Sequence, residues 1–247
     1  EEFLSILDVN PNTKGMALVL TKKHYDSYAF LMPDDIYQRF ALSSKNVAKI
    51  SSLVSEFDSV IDLINVPEIV VENHEGAPLY KNMDAREFGL LLNKATGKQI
   101  AVNKVTPHLP VNEFDSWLSE TRRYYGANHV IFVGGASNTI NYSGLPVVEA
   151  NKRAYGLGIN IGNITIPNRK NEVNRLLAKT KSGCSFFTTQ ILFQSNAVCQ
   201  LLFEYDEECR KKSLTPAEFF LCFTPLSDLL DLEYAKWLGA VVPKEAE

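Results

Sequence analysis

Amides, hydroxyls and carboxylates recur in this sequence just after short β-branched runs. Asp8 and Asn10, Asn65 and Glu68, Asn103 and Thr106, Asn163 and Thr165, and Thr189 and Gln190 stand in such places, and Gly134 and Gly135 occupy the corresponding place after residues 129–133. A set rich in amides and hydroxyls suits hydrogen bonding to a flat heterocycle better than it suits metal hydrolysis. His24, His74, His108 and His129 are dispersed, and no Ser or Cys stands beside a His in a local motif, so neither a metal centre nor a nucleophile–base pair is legible. Cys184, Cys199, Cys209 and Cys222 fit neither a CxxC redox pair nor a zinc knuckle and read as reduced thiols.

The elements that would position these residues alternate. Candidate strands fall at 4–9, 60–65, 99–105, 129–133, 159–166, 185–192, 218–223 and 240–242. Apolar residues at three- and four-residue spacing predict helices at 47–57, 85–94, 111–125, 146–155, 172–181, 195–211 and 227–238, with Trp117 and Trp237 on the apolar faces. Strands alternating with helices predict βα units on a parallel sheet, and eight strands in this length predict a single (β/α)8 TIM barrel over residues 1–247. An open doubly wound sheet usually shows a Gly-rich first turn, which is missing here. Residues 15–46 form an insertion after the first strand, carrying two apolar runs that could pair as a hairpin, and residues 67–84 form a second long loop. Both would emerge at the C-terminal mouth of a barrel, which makes 15–46 a candidate lid.

Composition narrows the partners. The 247 residues carry a net charge of −4, with Lys and Arg scattered, so nucleic acid and its phosphate backbone are not expected. Apolar runs such as "GMALVL" and "FFLCF" fall short of the roughly 20 residues that cross a bilayer, and no signal peptide is legible. The expectation is a cytoplasmic protein without membrane association, open to forming a homo-oligomer. The absence of an initial Met, and a last candidate strand close to Glu247, suggest that residues are missing at the ends.

The stretch "ITIPNRKNEVNRLLAKTKSGCSFFTTQILF" resembles the methylenetetrahydrofolate reductase family, in which a Pro-ended strand, a helix with "L..K...G" and a strand ending "TQ..F" follow at this spacing. Pro167, Lys179, Gly183, Thr189, Gln190 and Phe193 fit that pattern. "LDVNPN" is similar to the family's opening strand, with Asp8 in the place of the acid, and "FFLCFTPLSD" is similar to its seventh strand. The resemblance implies an oxidoreductase of folate one-carbon metabolism and methionine biosynthesis, reducing a methylene-folate to a methyl-folate at the mouth of the barrel. It implies Asp8 as the catalytic carboxylate, because an acid must protonate the leaving amine when the methylene bridge opens, and Glu68, just after Pro67, is a candidate replacement carboxylate. Gln190 can meet the pterin edge with two hydrogen bonds, and with the strand-end residues Asn103, Thr106, Asn163 and Thr165 and with Phe193 it is expected around the folate; Gly134, Gly135 and Lys179 are expected at a cofactor, Lys179 as a point charge for a phosphate or a glutamate tail. The cofactor implied is FAD, reduced by NAD(P)H.

Several family positions are changed. "VGGAS" puts Ala136 where the family has a flavin-contacting Asp, "NKVTP" retains only Thr106 of a His-Leu-Thr-Cys turn, and "NVPEI" replaces Thr-Tyr-Gly. Such losses argue that FAD is bound differently, weakly or not at all. They leave open a flavin-free protein that binds a reduced folate and passes a methyl group to a corrinoid or redox partner. An unrelated lyase or aldolase barrel, with Gly134 and Gly135 as its phosphate site, also stays open. Each strand-end residue has a plainer alternative too: mutual hydrogen bonding inside the mouth, solvation for Glu68, and room for a neighbouring ring at the Gly pair.

Overall fold

The computed structural model describes residues 3–8, 16–21, 44–68, 70, 84–135, 140–224 and 229–244. Within them β1 (Phe3–Asp8) pairs antiparallel with β2 (Met16–Thr21), from Phe3 opposite Thr21 to Asp8 opposite Met16. A separate sheet of six parallel strands follows in chain order: β3 (Leu63–Val66), β4 (Gln99–Val105), β5 (His129–Val133), β6 (Asn160–Thr165), β7 (Phe186–Thr189) and β8 (Glu218–Phe220). Its helices are α1 (Ser44–Glu56), α2 (Ala85–Thr96), α3 (Phe114–Arg123), α4 (Val147–Ala154), α5 (Glu172–Lys181), α6 (Asn196–Lys211) and α7 (Leu229–Trp237).

The closed (β/α)8 TIM barrel expected from the sequence is not what forms. The parallel sheet is an open, strongly curled half-barrel that runs 215° round and leaves its edges 11 Å apart. Paired strands lie about 4.8 Å apart, so these edges share no ladder. Two of the expected barrel strands are used otherwise. The first is β1, whose six residues pair with β2. The second, at 240–242, follows the C-cap of α7: Gly239 takes φ +90°, its N–H donates to the Lys236 carbonyl, and the Ala240 N–H donates to the Ala235 carbonyl. The lid expected at 15–46 falls largely outside the described residues, apart from β2 and the first residues of α1.

Alternation along each strand divides the sheet into two faces. On the convex face Ile64, Val66, Ile100, Val102, Val130, Phe132 and Ile161 pack under the helices, against Leu92, Phe114, Leu118 and Ala150 among others. Burying each such side chain contributes about 1.5–3 kcal/mol. On the concave face Leu63, Ala101, Ile131 and Phe186 form a second cluster with Val133, Ile164 and Phe220. Gly162 sits beneath the Phe186 ring, where a Cβ would come within 2.3 Å of the ring carbons.

Polar side chains on the convex face hold the helices in place. Arg86, at the start of α2, bonds to Asp84, the Trp117 carbonyl and Thr121, and its guanidinium lies 4.9 Å from the Trp117 ring and 4.7 Å from that of Tyr125. Asn163 of β6 and Asn151 of α4, both fully buried, exchange amide hydrogen bonds of 2.8 and 3.1 Å. Asn151 also donates to the Ser182 hydroxyl at 2.9 Å, beyond the end of α5. Asn163 also donates to the Gly162 carbonyl at 2.6 Å, so truncating Asn151 strands the buried Asn163 Oδ1 and removes the donor to the Ser182 hydroxyl rather than unpairing the whole amide. Asn151→Ala should therefore lower the unfolding free energy by about 1–3 kcal/mol. Lys152→Ala, on the exposed side of α4, should change it by less than about 0.5 kcal/mol. Equal urea midpoints for the two variants would contradict this role.

Candidate functional site

The half-barrel sorts the residues expected at the mouth by face. Asn163, Thr165, Thr106 and Thr189 do not point into the concavity. Asn163 is bound up with Asn151, and Thr165 donates to Glu172 at 2.9 Å. The Thr106 hydroxyl, with no exposed surface, donates to the Leu145 carbonyl at 2.8 Å, and Thr189 accepts from the Cys222 N–H at 2.9 Å.

Glu68 lies past β3 and reaches across to β4. One carboxylate oxygen pairs with the Lys104 ammonium at 2.6 Å and the other accepts from the Val105 N–H. Gln190 follows β7; its amide donates to the Leu238 carbonyl and accepts from the Ile191 N–H at 2.9 Å, tying the end of β7 to the end of α7. Phe193 packs with Ile191, Ala235, Ala240 and Leu238 beneath the same helix. Asp8 ends β1, and its side chain lies outside the described residues, as does Ala136.

The concave face carries a different polar set. Asn65, two residues after Leu63, Asn103, two after Ala101, and Thr188, two after Phe186, share the face of those three side chains. The Oδ1 atoms of Asn65 and Asn103 and the hydroxyl oxygen of Thr188 are shielded from solvent and have no hydrogen-bond partner. Thr188 is 2 % exposed and Asn103 8 %. Of these three, Asn103 is among the residues singled out from the sequence for folate binding. The last-residue position singles out Thr189 in the sequence, whereas the period of two places Thr188 with Phe186.

A cleft of about 520 Å³ opens beside this trough, at the ends of β5 and β6. Gly134 and Gly135 line it, with Tyr142, Val133, Ile164, Arg169, Arg175 and Lys179. Neither glycine has a positive φ; a Cβ at Gly135 would lie 2.3–2.5 Å from the end of the Tyr142 side chain, so Gly135 lets that ring pack down on the backbone. Gly144 is constrained likewise, since a Cβ would come within 2.4 Å of the Thr106 carbonyl oxygen, and this close approach anchors the β5–α4 loop to the turn after β4.

Charge in the cleft is organised around Glu172, 3 % exposed at the start of α5. Its carboxylate accepts from the Thr165 hydroxyl, the Ile166 N–H at 3.1 Å, and Nε and Nη2 of Arg169 at 2.7 and 3.0 Å. Burial alone would raise its pKa, but these donors together outweigh burial and hold it below the ordinary 4.5. Lys179 donates to the Ile164 carbonyl at 2.6 Å; burial pushes its ammonium below the usual range, and the Glu172 charge opposes that shift. The Cys184 thiol is pushed up to about 12 by burial and is inert as a thiolate. No group of three His, Cys, Asp or Glu among the described residues could hold a metal, and none of the described helices is long and apolar enough to cross a membrane.

No family model and no curated protein matches the chain. Among solved structures, it is a weak, partial structural relative of an uncharacterized Clostridium thermocellum protein that binds two copies of 5-methyl-5,6,7,8-tetrahydrofolic acid, at 21% identity and a TM-score of 0.64. The match covers 82% of this chain and 68% of that one. A phosphonopyruvate hydrolase, solved with oxalate and magnesium, matches at 8% identity and a TM-score of 0.51, covering 78% of this chain and 70% of the other. These likenesses are likenesses of fold. The flavoprotein expectation is corrected along with the TIM barrel, since the open half-barrel matches neither.

Because the Glu172 pKa is depressed on folding, its contribution to stability is complete above about pH 4.5 and is lost as the pH falls through the folded value. Glu172→Gln should lower stability at pH 7 by about 1–3 kcal/mol, less than a fully buried pair because Arg169 is partly solvated. It should also flatten the fall in stability below pH 4.5. Urea denaturation at several pH values measures both effects, and an unchanged acid limb in the variant would assign that limb to other carboxylates.

Proposed function

We propose that this chain binds a reduced folate, with the tetrahydropterin ring lying in the concave trough of the half-barrel. The observation that carries the reading is the set of three unpartnered oxygens on Asn65, Asn103 and Thr188, on an otherwise apolar face. A buried acceptor without a donor costs about 1–3 kcal/mol, so such a set favours a ligand rich in donors. A reduced pterin offers N–H donors at its 2-amino group, N3 and N8 along a flat body that the apolar residues can cover. Because the three oxygens are shielded, ligand entry displaces whatever shields them. The fold likeness to a protein that binds 5-methyltetrahydrofolate points to the same ligand class.

Binding is favoured over reduction. Opening a methylene bridge needs an available acid, and the two carboxylates near the strand ends whose side-chain contacts are described, Glu68 after β3 and Glu172 at the start of α5, are engaged with Lys104 and Arg169. Thr188→Val separates binding from architecture, since it retains shape while removing the unpaired hydroxyl. Stability should stay level or rise by up to about 1 kcal/mol, while affinity for 5-methyltetrahydrofolate falls about fivefold to tenfold. Calorimetry and urea melts measure the two quantities. A wild type that binds no reduced folate, or a variant that loses stability and retains affinity, would falsify the reading.

A further inference from the structure

The trough explains the ring of a folate but not the charge beside it. Val133 and Ile164 belong to the concave cluster and also line the cleft at the ends of β5 and β6, so trough and cleft adjoin. Three cations border the cleft: Arg169, Arg175 and Lys179. Arg169 is matched by Glu172. Arg175 donates through Nη1 to the Lys170 carbonyl at 2.9 Å, and Lys179 donates to the Ile164 carbonyl, but among the described residues neither has a carboxylate at ion-pair distance. Carbonyl oxygens orient these cations without neutralising them, and Glu172, already paired with Arg169, reaches Lys179 only through its field. Burying a lysine without an ion-pair partner is costly, as the burial-driven depression of the Lys179 pKa indicates, and an arriving anion offsets that cost.

From this arrangement we infer that the cleft holds the carboxylates of the folate's glutamate tail, with Arg175 and Lys179 as their partners, while the pterin lies in the trough. The inference rests on the folate reading above and adds the orientation of the ligand. Arg175 retains Nε and Nη2 for a carboxylate, and Lys179 retains two N–H donors. Tyr142, packed over Gly135, forms a wall of the cleft along which the aminobenzoyl group would pass.

The test compares 5-methyltetrahydrofolate with 5-methyltetrahydropteroate, which lacks the glutamate, by titration calorimetry on the wild type, Lys179→Met and Arg175→Gln. Charge-assisted contacts to the tail should make the wild type bind the folate at least about tenfold more tightly than the pteroate. In either variant that ratio should collapse to about threefold or less, and added salt should weaken the folate more than the pteroate. Arg175→Gln keeps the test available if Lys179→Met does not fold. Equal binding of both ligands by the wild type, or a ratio unchanged in both variants, would place the tail elsewhere and overturn the inference while leaving the folate reading intact. Binding of neither ligand would remove both. Inorganic pyrophosphate serves as the remaining probe: Lys179-dependent binding of pyrophosphate tighter than the tail's increment would assign the cleft to a phosphate-bearing ligand, and the inference would fail.

Discussion

A polar atom shielded from solvent on a sheet face cannot turn to water, so it must find a partner within the protein or a ligand, or remain unsatisfied. That constraint divides this molecule. On the convex face it is met in full: Asn163 with Asn151, Thr165 with Glu172, and Thr106 with the Leu145 carbonyl. On the concave face Asn65, Asn103 and Thr188 are left with unpaired oxygens. The first set attaches helices to strands. The second has no structural return among the described residues, and a fold that carries such a cost in one place is expected to recover it on binding.

The same division explains why the helix-side polar residues are so closely networked. Glu172 accepts from a strand hydroxyl, a backbone N–H and a guanidinium at once, which holds Arg169 at the cleft and screens one of its three cations. Asn151 joins α4 to β6 and to the turn after α5, fixing the helix that carries Arg175 and Lys179. The convex-face network thus sets the electrostatics of the mouth without entering it. Toward the β3 edge of the sheet Glu68 and Lys104 neutralise each other, leaving the cations without an ion-pair partner at the ends of β5 and β6.

Openness of the sheet is the second consequence of where strands find partners. A ladder between neighbours in sequence closes a short loop, whereas joining β1 to a distant edge closes a long one, and the entropy of closure favours the nearer pairing. With β1 paired to β2, six strands remain to curl through 215°. The concavity is then a trough rather than the packed interior of a barrel, in which facing strands would fill the space with side chains. A ligand reading for this fold therefore starts from residues two places apart along one strand face, and not from the last residue of each strand.

Much of the local architecture was legible in the residues alone. The β-branched runs and the three- and four-residue apolar spacing placed strands β3 to β8 and all seven described helices within a few residues, because those patterns report burial that each element requires wherever it packs. Asn103 and the Gly134–Gly135 pair could be singled out on residue type and position. Closure of the sheet could not be read, since β1 carries the same pattern whether it pairs with β2 or with a barrel edge. Nor could the sorting of Asn163, Thr165 and Gln190 from Asn65 and Thr188, because partnering depends on what faces each side chain across the fold: Asn151, Glu172 and the Leu238 carbonyl lie 12, 7 and 48 residues away. Lys179 stands out in the sequence by the family pattern, whereas Arg169 and Arg175 are ordinary surface-type cations there, and the three gather at one cleft only when α5 packs back on β6.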